Sequence, residues 1–173
     1  MQTFKEVIST PEAWFRQAWQ MFEASKVNFS AFKECKPVKS ERELHKQVGL
    51  MDASKLCLSL SIENAFKGAY VYICIPDLKN NKLDPNHFHK KSHDLVDLAK
   101  RLNLELTTEE LKLLARFSSF INWAAKYSAP LNENAYIQFE GENKITFPRD
   151  FEFAENLIDK LQIQSGFNIN SGW

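Results

Sequence analysis

The stretch that decides the fold runs from Met51 to Ile75, MDASKLCLSLSIENAFKGAYVYICI. A helix drawn through it has apolar residues on nearly every side: Leu56, Leu60, Ile62, Phe66, Ala69, Tyr70 and Ile73. A helix that is apolar all round is normally buried by its neighbours. The stretch therefore predicts a central helix with other helices packed around it, and Pro76 is expected to end it.

The segment before this stretch predicts a first helix. Thr10 is a suitable N-cap and Pro11 suits the first helical position. Apolar residues then recur at helical spacing as far as about Phe32. Residues 33–46 are polar and contain a proline, so we expect them to form a connection into the central helix.

Two further helices are predicted after it. Ser92 is a candidate cap for a third helix whose apolar stripe ends near Leu102. Thr107 and Glu110 form a capping box that opens a fourth helix, expected to reach Tyr127. Residues 1–130 are thus predicted to form an all-α, up-down bundle of four to five helices.

The last part of the chain, residues 131–173, is predicted to be a small addition packed on the same domain. Residues 135–139 alternate between apolar and polar, residues 140–143 have a turn composition, and residues 144–147 could form a return strand. This pattern predicts a β-hairpin. Pro148 opens a last helix, and Trp173 could dock the tail that follows it.

Composition and charge limit the classes of function. The 173 residues include 22 basic and 22 acidic side chains, so there is no basic excess for coating nucleic acid. The balance is uneven, because residues 1–130 carry a net charge of +4 and residues 131–173 one of −4. Three cysteines, no apolar leader and no long apolar run predict a cytoplasmic protein with reduced thiols and no membrane partner.

Polar residues that interrupt or end the predicted helices form the candidate ligand-binding site. They are Glu63, Lys67, His93, Asp94, Lys126 and Tyr127. Glu63 and Lys67 are spaced i, i+4 in the apolar central helix, where buried charges need partners. They would form either a structural ion-pair network or a polar cluster at the mouth of the bundle.

The other candidates also have two interpretations each. His93 is the candidate catalytic residue because an imidazole can act as an acid or a base, while Asp94 beside it could serve only the helix dipole. Lys126 and Tyr127 could complement the dipole at a helix end and pack there. Alternatively, they would meet Glu63 and Lys67 across the bundle.

The histidine spacing also raises the question of a metal site. His87, His89 and His93 could present ligands to one ion, but Lys90 and Lys91 lie between them and would repel a cation. The sequence has no H-E-x-x-H, no G-x-S-x-G and no phosphate-binding loop. We therefore predict no metal and no cofactor.

Three segments resemble the HEPN-domain family. Ser61–Ala69 is similar to its second helix, with an S-x-E-x-x-x-K pattern. Lys91–Leu98 is similar to a K-T/S-H-D-L helix start, and Trp123–Pro130 to a fourth-helix ending of the form W/Y-x-x-R-Y-P. The resemblance covers roughly residues 10–130. It implies a helical bundle, usually a homodimer, with a role around nucleotides or nucleic acids, often in toxin–antitoxin or phage-defence systems.

Many members of that family are metal-independent ribonucleases with an R-x(4–6)-H motif. No arginine of this chain is followed by a histidine at that distance, and Lys126 stands where arginine is usual. We therefore expect binding of a nucleotide, a nucleic acid or a partner such as an antitoxin-like protein, without the standard nuclease activity. The alternatives are a ribonuclease with a relocated site, using His93 with Lys67 or Lys126, and a purely structural interaction module.

Overall fold

The computed structural model describes most of the chain. The described residues are 3–35, 37–79, 82–84, 87–88, 93–130, 133–139 and 144–173, with Lys79 and Gln138 described in their backbone alone. The helices are α1 (Phe4–Ser9), α2 (Pro11–Glu34), α3 (Glu41–Ile73), α4 (Leu95–Arg101), α5 (Thr108–Ser119), a π-helix (Phe120–Ala124), α6 (Glu133–Phe139) and α7 (Arg149–Gln164). Strands β1 (Leu78–Lys79) and β2 (Lys82–Leu83) pair antiparallel.

The predicted all-α bundle is confirmed, with α3 at its centre. Helix α3 packs along α2 and also contacts α4, α5, the π-helix and α7. The largest fully buried side chains come from these helices and include Phe15, Phe22, Phe66, Phe117 and Phe120. Burial of these rings supplies much of the apolar area that holds the helices together.

Helix α3 begins ten residues earlier than the sequence predicted. Ser40 is its N-cap, and the Ser40 side chain accepts a hydrogen bond from the Glu43 backbone N–H. Residues 41–46 are exposed, so they show no apolar periodicity and were expected to be a connection. They remain helical because ERELHK is rich in strong helix formers and carries acidic residues in the first turn.

The predicted C-terminal β-hairpin is wrong. Residues 135–139 belong to helix α6, residues 144–147 form no strand, and the predicted turn at 140–143 lies outside the described residues. A pattern of only five residues fits both the period of a strand and the period of a helix. In the helix, Ala135 and Phe139 are one turn apart and share a face, and Phe139 is buried against Phe120 and Trp123. The strand pair that does occur, β1 with β2, follows Pro76, where the central helix was expected to end.

The remaining helix boundaries follow local capping. The Thr107–Glu110 capping box is confirmed by reciprocal hydrogen bonds of 2.7 and 3.2 Å. The predicted cap Ser92 lies outside the described residues, and Asp94 serves as the N-cap of α4. Helix α7 starts beside Pro148 as expected, and the Trp173 ring packs 5.5 Å from that of Phe15. No helix in the described ranges is both long and apolar enough to cross a membrane.

Candidate functional site

Close packing of α2 against α3 builds the floor of the site. Glu63 and Lys67 are one turn apart on α3, and Gly68 follows them directly. A Cβ added to Gly68 would lie 2.9 Å from Cε2 of Phe15 and 3.1 Å from Cβ of Trp14. The missing side chain therefore lets α2 approach α3 and brings Trp14 beside Lys67.

Glu63 is the centre of the site and is only 3% exposed. Its Oε1 accepts a short hydrogen bond from Nζ of Lys67, and its Oε2 lies 2.9 Å from Nδ1 of His93. Burial raises the pKa of Glu63, but the hydrogen bonds and positive charges of His93 and Lys67 outweigh it, so the pKa is lowered overall. The carboxylate of Glu63 is therefore ionised at neutral pH. We call the group formed by Glu63, Lys67 and His93 the Glu63 cluster.

The ionised carboxylate fixes the tautomer of His93. A carboxylate can only accept hydrogen bonds, so Nδ1 must carry the proton that it shares with Glu63. In the neutral ring, Nε2 then holds the free lone pair. The His93 side chain is 40% exposed, so the ring reaches solvent while its other edge is held by Glu63. This arrangement resembles an oriented histidine base.

Lys67 is held between aromatic rings as well as by Glu63. Its Nζ lies 5.9 Å from the centroid of Trp14 and 5.4 Å from that of Phe88, within cation–π distance of both. The two rings contact each other edge-to-face at 5.1 Å. The Lys67 side chain is 15% exposed, so its ammonium group interacts mainly with Glu63 and the two rings and only slightly with solvent.

The other three predicted site residues do not join the Glu63 cluster. Asp94 caps α4, with Oδ1 accepting a hydrogen bond from the Asp97 backbone N–H at 3.0 Å. Lys126 and Tyr127 follow the end of the π-helix, are exposed, and contact each other through a cation–π distance of 5.7 Å. Within the described chain they form no hydrogen bond, ion pair or ring contact with Glu63 or Lys67. No contact within the described chain therefore supports the alternative in which they meet Glu63 and Lys67 across the bundle.

Sequence reasoning missed a second buried ion pair. Asp150 is fully buried in the first turn of α7, and its Oδ2 lies 2.6 Å from Nη2 of Arg116 on α5. The same oxygen accepts a hydrogen bond from the Thr146 backbone N–H at 2.8 Å. The sequence did offer one signal, the charged Arg116 directly before the buried Phe117 on α5. It resembles the way in which Glu63 interrupts the apolar helix α3.

Of the three histidines considered as metal ligands, the structure describes His87 and His93, while His89 lies outside the described residues. Within the described ranges, no group of three or more His, Cys, Asp or Glu side chains is placed to hold a metal ion.

Comparison with known proteins gives no relative. No protein-family model matches the sequence, and no curated protein or solved structure matches it significantly. The HEPN resemblance therefore stays a prediction. Its three segments map to α3, to the start of α4 and to the end of the π-helix.

Proposed function

We propose that this chain is a HEPN-like helical protein that binds the phosphate of RNA or of a nucleotide at the Glu63 cluster, without the standard ribonuclease pair. The observation that carries the proposal is the hydrogen bond between Glu63 and Nδ1 of His93. Glu63 and Lys67 offset each other's charge, so a protonated His93 gives the cluster one net positive charge. Its Nε2–H is then free to donate a charge-assisted hydrogen bond to a phosphate oxygen.

Binding of labelled single-stranded RNA, measured by fluorescence anisotropy, tests this proposal. His93→Ala is expected to weaken binding about tenfold, since a hydrogen bond to a charged group contributes about 1.5–3 kcal/mol. His45→Ala is the matched control, because His45 lies on α3, the helix that carries Glu63 and Lys67, with a side chain 73% exposed and should leave binding unchanged. Equal affinity of wild type and His93→Ala would contradict the proposal, as would the absence of RNA binding by wild type.

The tautomer of His93 favours a second candidate, metal-independent RNA cleavage. Nε2 of His93 would take the proton of a 2′-hydroxyl, whose oxygen attacks the adjacent phosphorus. The P–O5′ bond breaks, the 5′ oxygen takes a proton from water, and a 2′,3′-cyclic phosphate remains. Lys67 is bound to the same carboxylate as this ring, whereas Lys126 makes no hydrogen bond or ion pair with the cluster within the described chain.

Incubation of end-labelled RNA with the purified protein in EDTA tests cleavage. We expect wild type to release cyclic-phosphate ends and His93→Ala to release none. The His45→Ala protein separates loss of the catalytic base from a contaminating nuclease, because it should cleave like wild type. RNA left equally intact by wild type and His93→Ala would exclude this candidate while leaving the binding proposal in place.

The family resemblance also leads us to propose a cytoplasmic homodimer with an antitoxin-like protein partner in a defence setting. The monomer has a mass of 20.1 kDa. Size-exclusion chromatography with light scattering is expected to give twice that mass. A monomer mass at every accessible protein concentration would contradict the homodimer.

A further inference from the structure

A groove separate from the Glu63 cluster lies between α5, the π-helix, α6 and the start of α7. The groove has a volume of about 580 Å³. That volume falls in the range of roughly 300–1,000 Å³ typical of small-molecule sites. None of the residues of the Glu63 cluster lines it.

The groove carries a positive charge in excess. Lys112, Arg116 and Arg149 line it, against the acidic side chains of Glu109 in the groove and Asp150 behind Arg116. Glu109 is shared at the rim, 3.1 Å from Nζ of Lys112 and 3.6 Å from a guanidinium nitrogen of Arg149. These three cations and two anions give a net charge of +1, which one further negative charge would balance.

Arg116 has unused hydrogen-bonding capacity although it is nearly buried. Its side chain is 11% exposed, and within the described chain only Nη2 forms a hydrogen bond, to Asp150. Among the described residues, its buried Nε has no partner, and neither does the buried Oδ1 of Asp150. Buried polar atoms without partners are uncommon in native proteins and call for an explanation. Asp150 holds the guanidinium from behind, and the small part of it that reaches the groove is suited to an incoming anion.

The aromatic wall of the groove is formed by a rare backbone element. Trp123 lines the groove from the π-helix Phe120–Ala124, and its ring contacts Phe139 edge-to-face at 5.1 Å. Single π-helical turns are uncommon and often occur at functional sites. Here the element places a large planar ring next to the three cations. An aromatic ring beside an anion-binding group is suited to a planar ligand.

We propose that this groove binds a small ligand made of one planar ring and one anionic group, a phosphate or a carboxylate. The ring packs against Trp123 and Phe139, and the anionic group faces Arg116, Arg149 and Lys112. This site is separate from the Glu63 cluster and does not depend on the RNA binding proposed there.

Isothermal titration calorimetry of the full chain tests the proposal with AMP as the planar phosphate and indole-3-acetate as the planar carboxylate. We expect saturable one-to-one binding of at least one of them, and the preferred probe identifies the anionic group. Adenosine and inorganic phosphate, which each lack one half of the ligand, should bind at least about tenfold more weakly. Quenching of tryptophan fluorescence by the bound probe should disappear in Trp123→Phe.

The location is tested with the double variant Lys112→Gln/Arg149→Gln, whose two side chains are 70% and 55% exposed and are therefore expected to leave the fold intact. It should bind the probe at least about tenfold more weakly. Lys5→Gln, an exposed lysine on α1, is the matched control and should bind normally. No saturable binding of either probe overturns the proposal. So does unchanged affinity in the double variant, or loss of binding in His93→Ala instead.

Discussion

Two carboxylates are buried in the part of the chain that the structure describes, Glu63 and Asp150, and their hydrogen bonds are arranged differently. Glu63 uses both oxygens, one for Lys67 and one for His93, and His93 reaches solvent. Within the described chain, Asp150 receives its side-chain hydrogen bonds on Oδ2, from Arg116 and the Thr146 backbone, and Oδ1 has no partner there. Both regions contain an ion pair. Of the two carboxylates, Glu63 is the one bound to a titratable side chain, His93, that reaches solvent.

The difference teaches what burial does to an ion pair. Asp150 is fully buried and Arg116 nearly so, which means that removal of either partner leaves a charge with little access to water. In the Glu63 cluster, the partners are 15% and 40% exposed and can be hydrated when their carboxylate is lost. We therefore expect the Arg116–Asp150 pair to matter more for stability and the Glu63 cluster to respond more to ligand and pH.

The largest effect is expected for Arg116→Met, which keeps most of the side-chain volume and removes the charge. The fully buried Asp150 then lacks its cation, and the free energy of unfolding should fall by about 3–5 kcal/mol. Urea denaturation measures the loss. Arg16→Met is the matched control, because the Arg16–Glu12 pair is 58% and 39% exposed and should contribute less than about 1 kcal/mol. A similar small loss in both variants would remove the contrast between the two carboxylates.

Glu63→Gln should give a smaller loss, about 1–3 kcal/mol. The amide preserves the shape, but Lys67 loses its counter-charge in a site that is mostly buried. Glu41→Gln on the same helix serves as control, since Glu41 is 86% exposed and its change should stay within about 0.5 kcal/mol. Unchanged stability of Glu63→Gln would argue against a structural network. Lost stability with unchanged RNA affinity would instead favour the structural interaction module.

The two regions were not equally visible in the sequence. Glu63 and Lys67 stand out because they interrupt an apolar helix at a spacing that pairs them, and His93 follows a family-like helix start. The partnership of Arg116 with Asp150 spans 34 residues, and Asp150 has the ordinary appearance of an acidic residue in a first helical turn. Long-range pairs of this kind depend on packing angles between helices, which local periodicity does not contain.

The same limit explains the errors in local structure. Residues 41–46 are helical through capping and propensity without a buried stripe, so hydrophobic periodicity missed them. Residues 135–139 fit either period, and tertiary contact of Phe139 with Trp123 decides for a helix. The π-helix has no sequence signature of its own, so the fourth helix was expected to continue to Tyr127, whereas α5 ends at Ser119 and the π-helix at Ala124.

Close helix packing beneath the Glu63 cluster can be tested with two glycines of α3. Gly68→Ala should lower the free energy of unfolding by about 1–2 kcal/mol, because the added methyl group clashes with Phe15 and Trp14 and overpacking outweighs the gain in helix propensity. Gly49→Ala is the control with open space around it and should stabilise the protein by about 0.5–1 kcal/mol. Equal effects of the two changes would show that α2 does not press on α3 at Gly68.

The smallest expected effect is a loss of folding stability in acid, as the carboxylate of Glu63 becomes protonated. The pKa of Glu63 is lowered in the folded protein, so the unfolded chain binds its proton first as the pH falls. The stability that this carboxylate contributes is therefore fully present above the ordinary glutamate pKa of about 4.3 and is lost as the pH falls through the lower folded value.

Urea denaturation of wild type and Glu63→Gln between pH 7 and pH 3 measures this effect. The stability difference between the two proteins should narrow as the pH falls below about 4.3. Glu6, Glu109 and Glu110 also have lowered pKa values, but they are present in both proteins and cancel in the difference. A difference that stays constant to pH 3 would mean that Glu63 titrates alike in the folded and unfolded chains. The hydrogen bonds and charges of His93 and Lys67 would then stabilise the ionised carboxylate no more than its burial destabilises it, and Glu63 would hold His93 less firmly than the proposed binding and cleavage require.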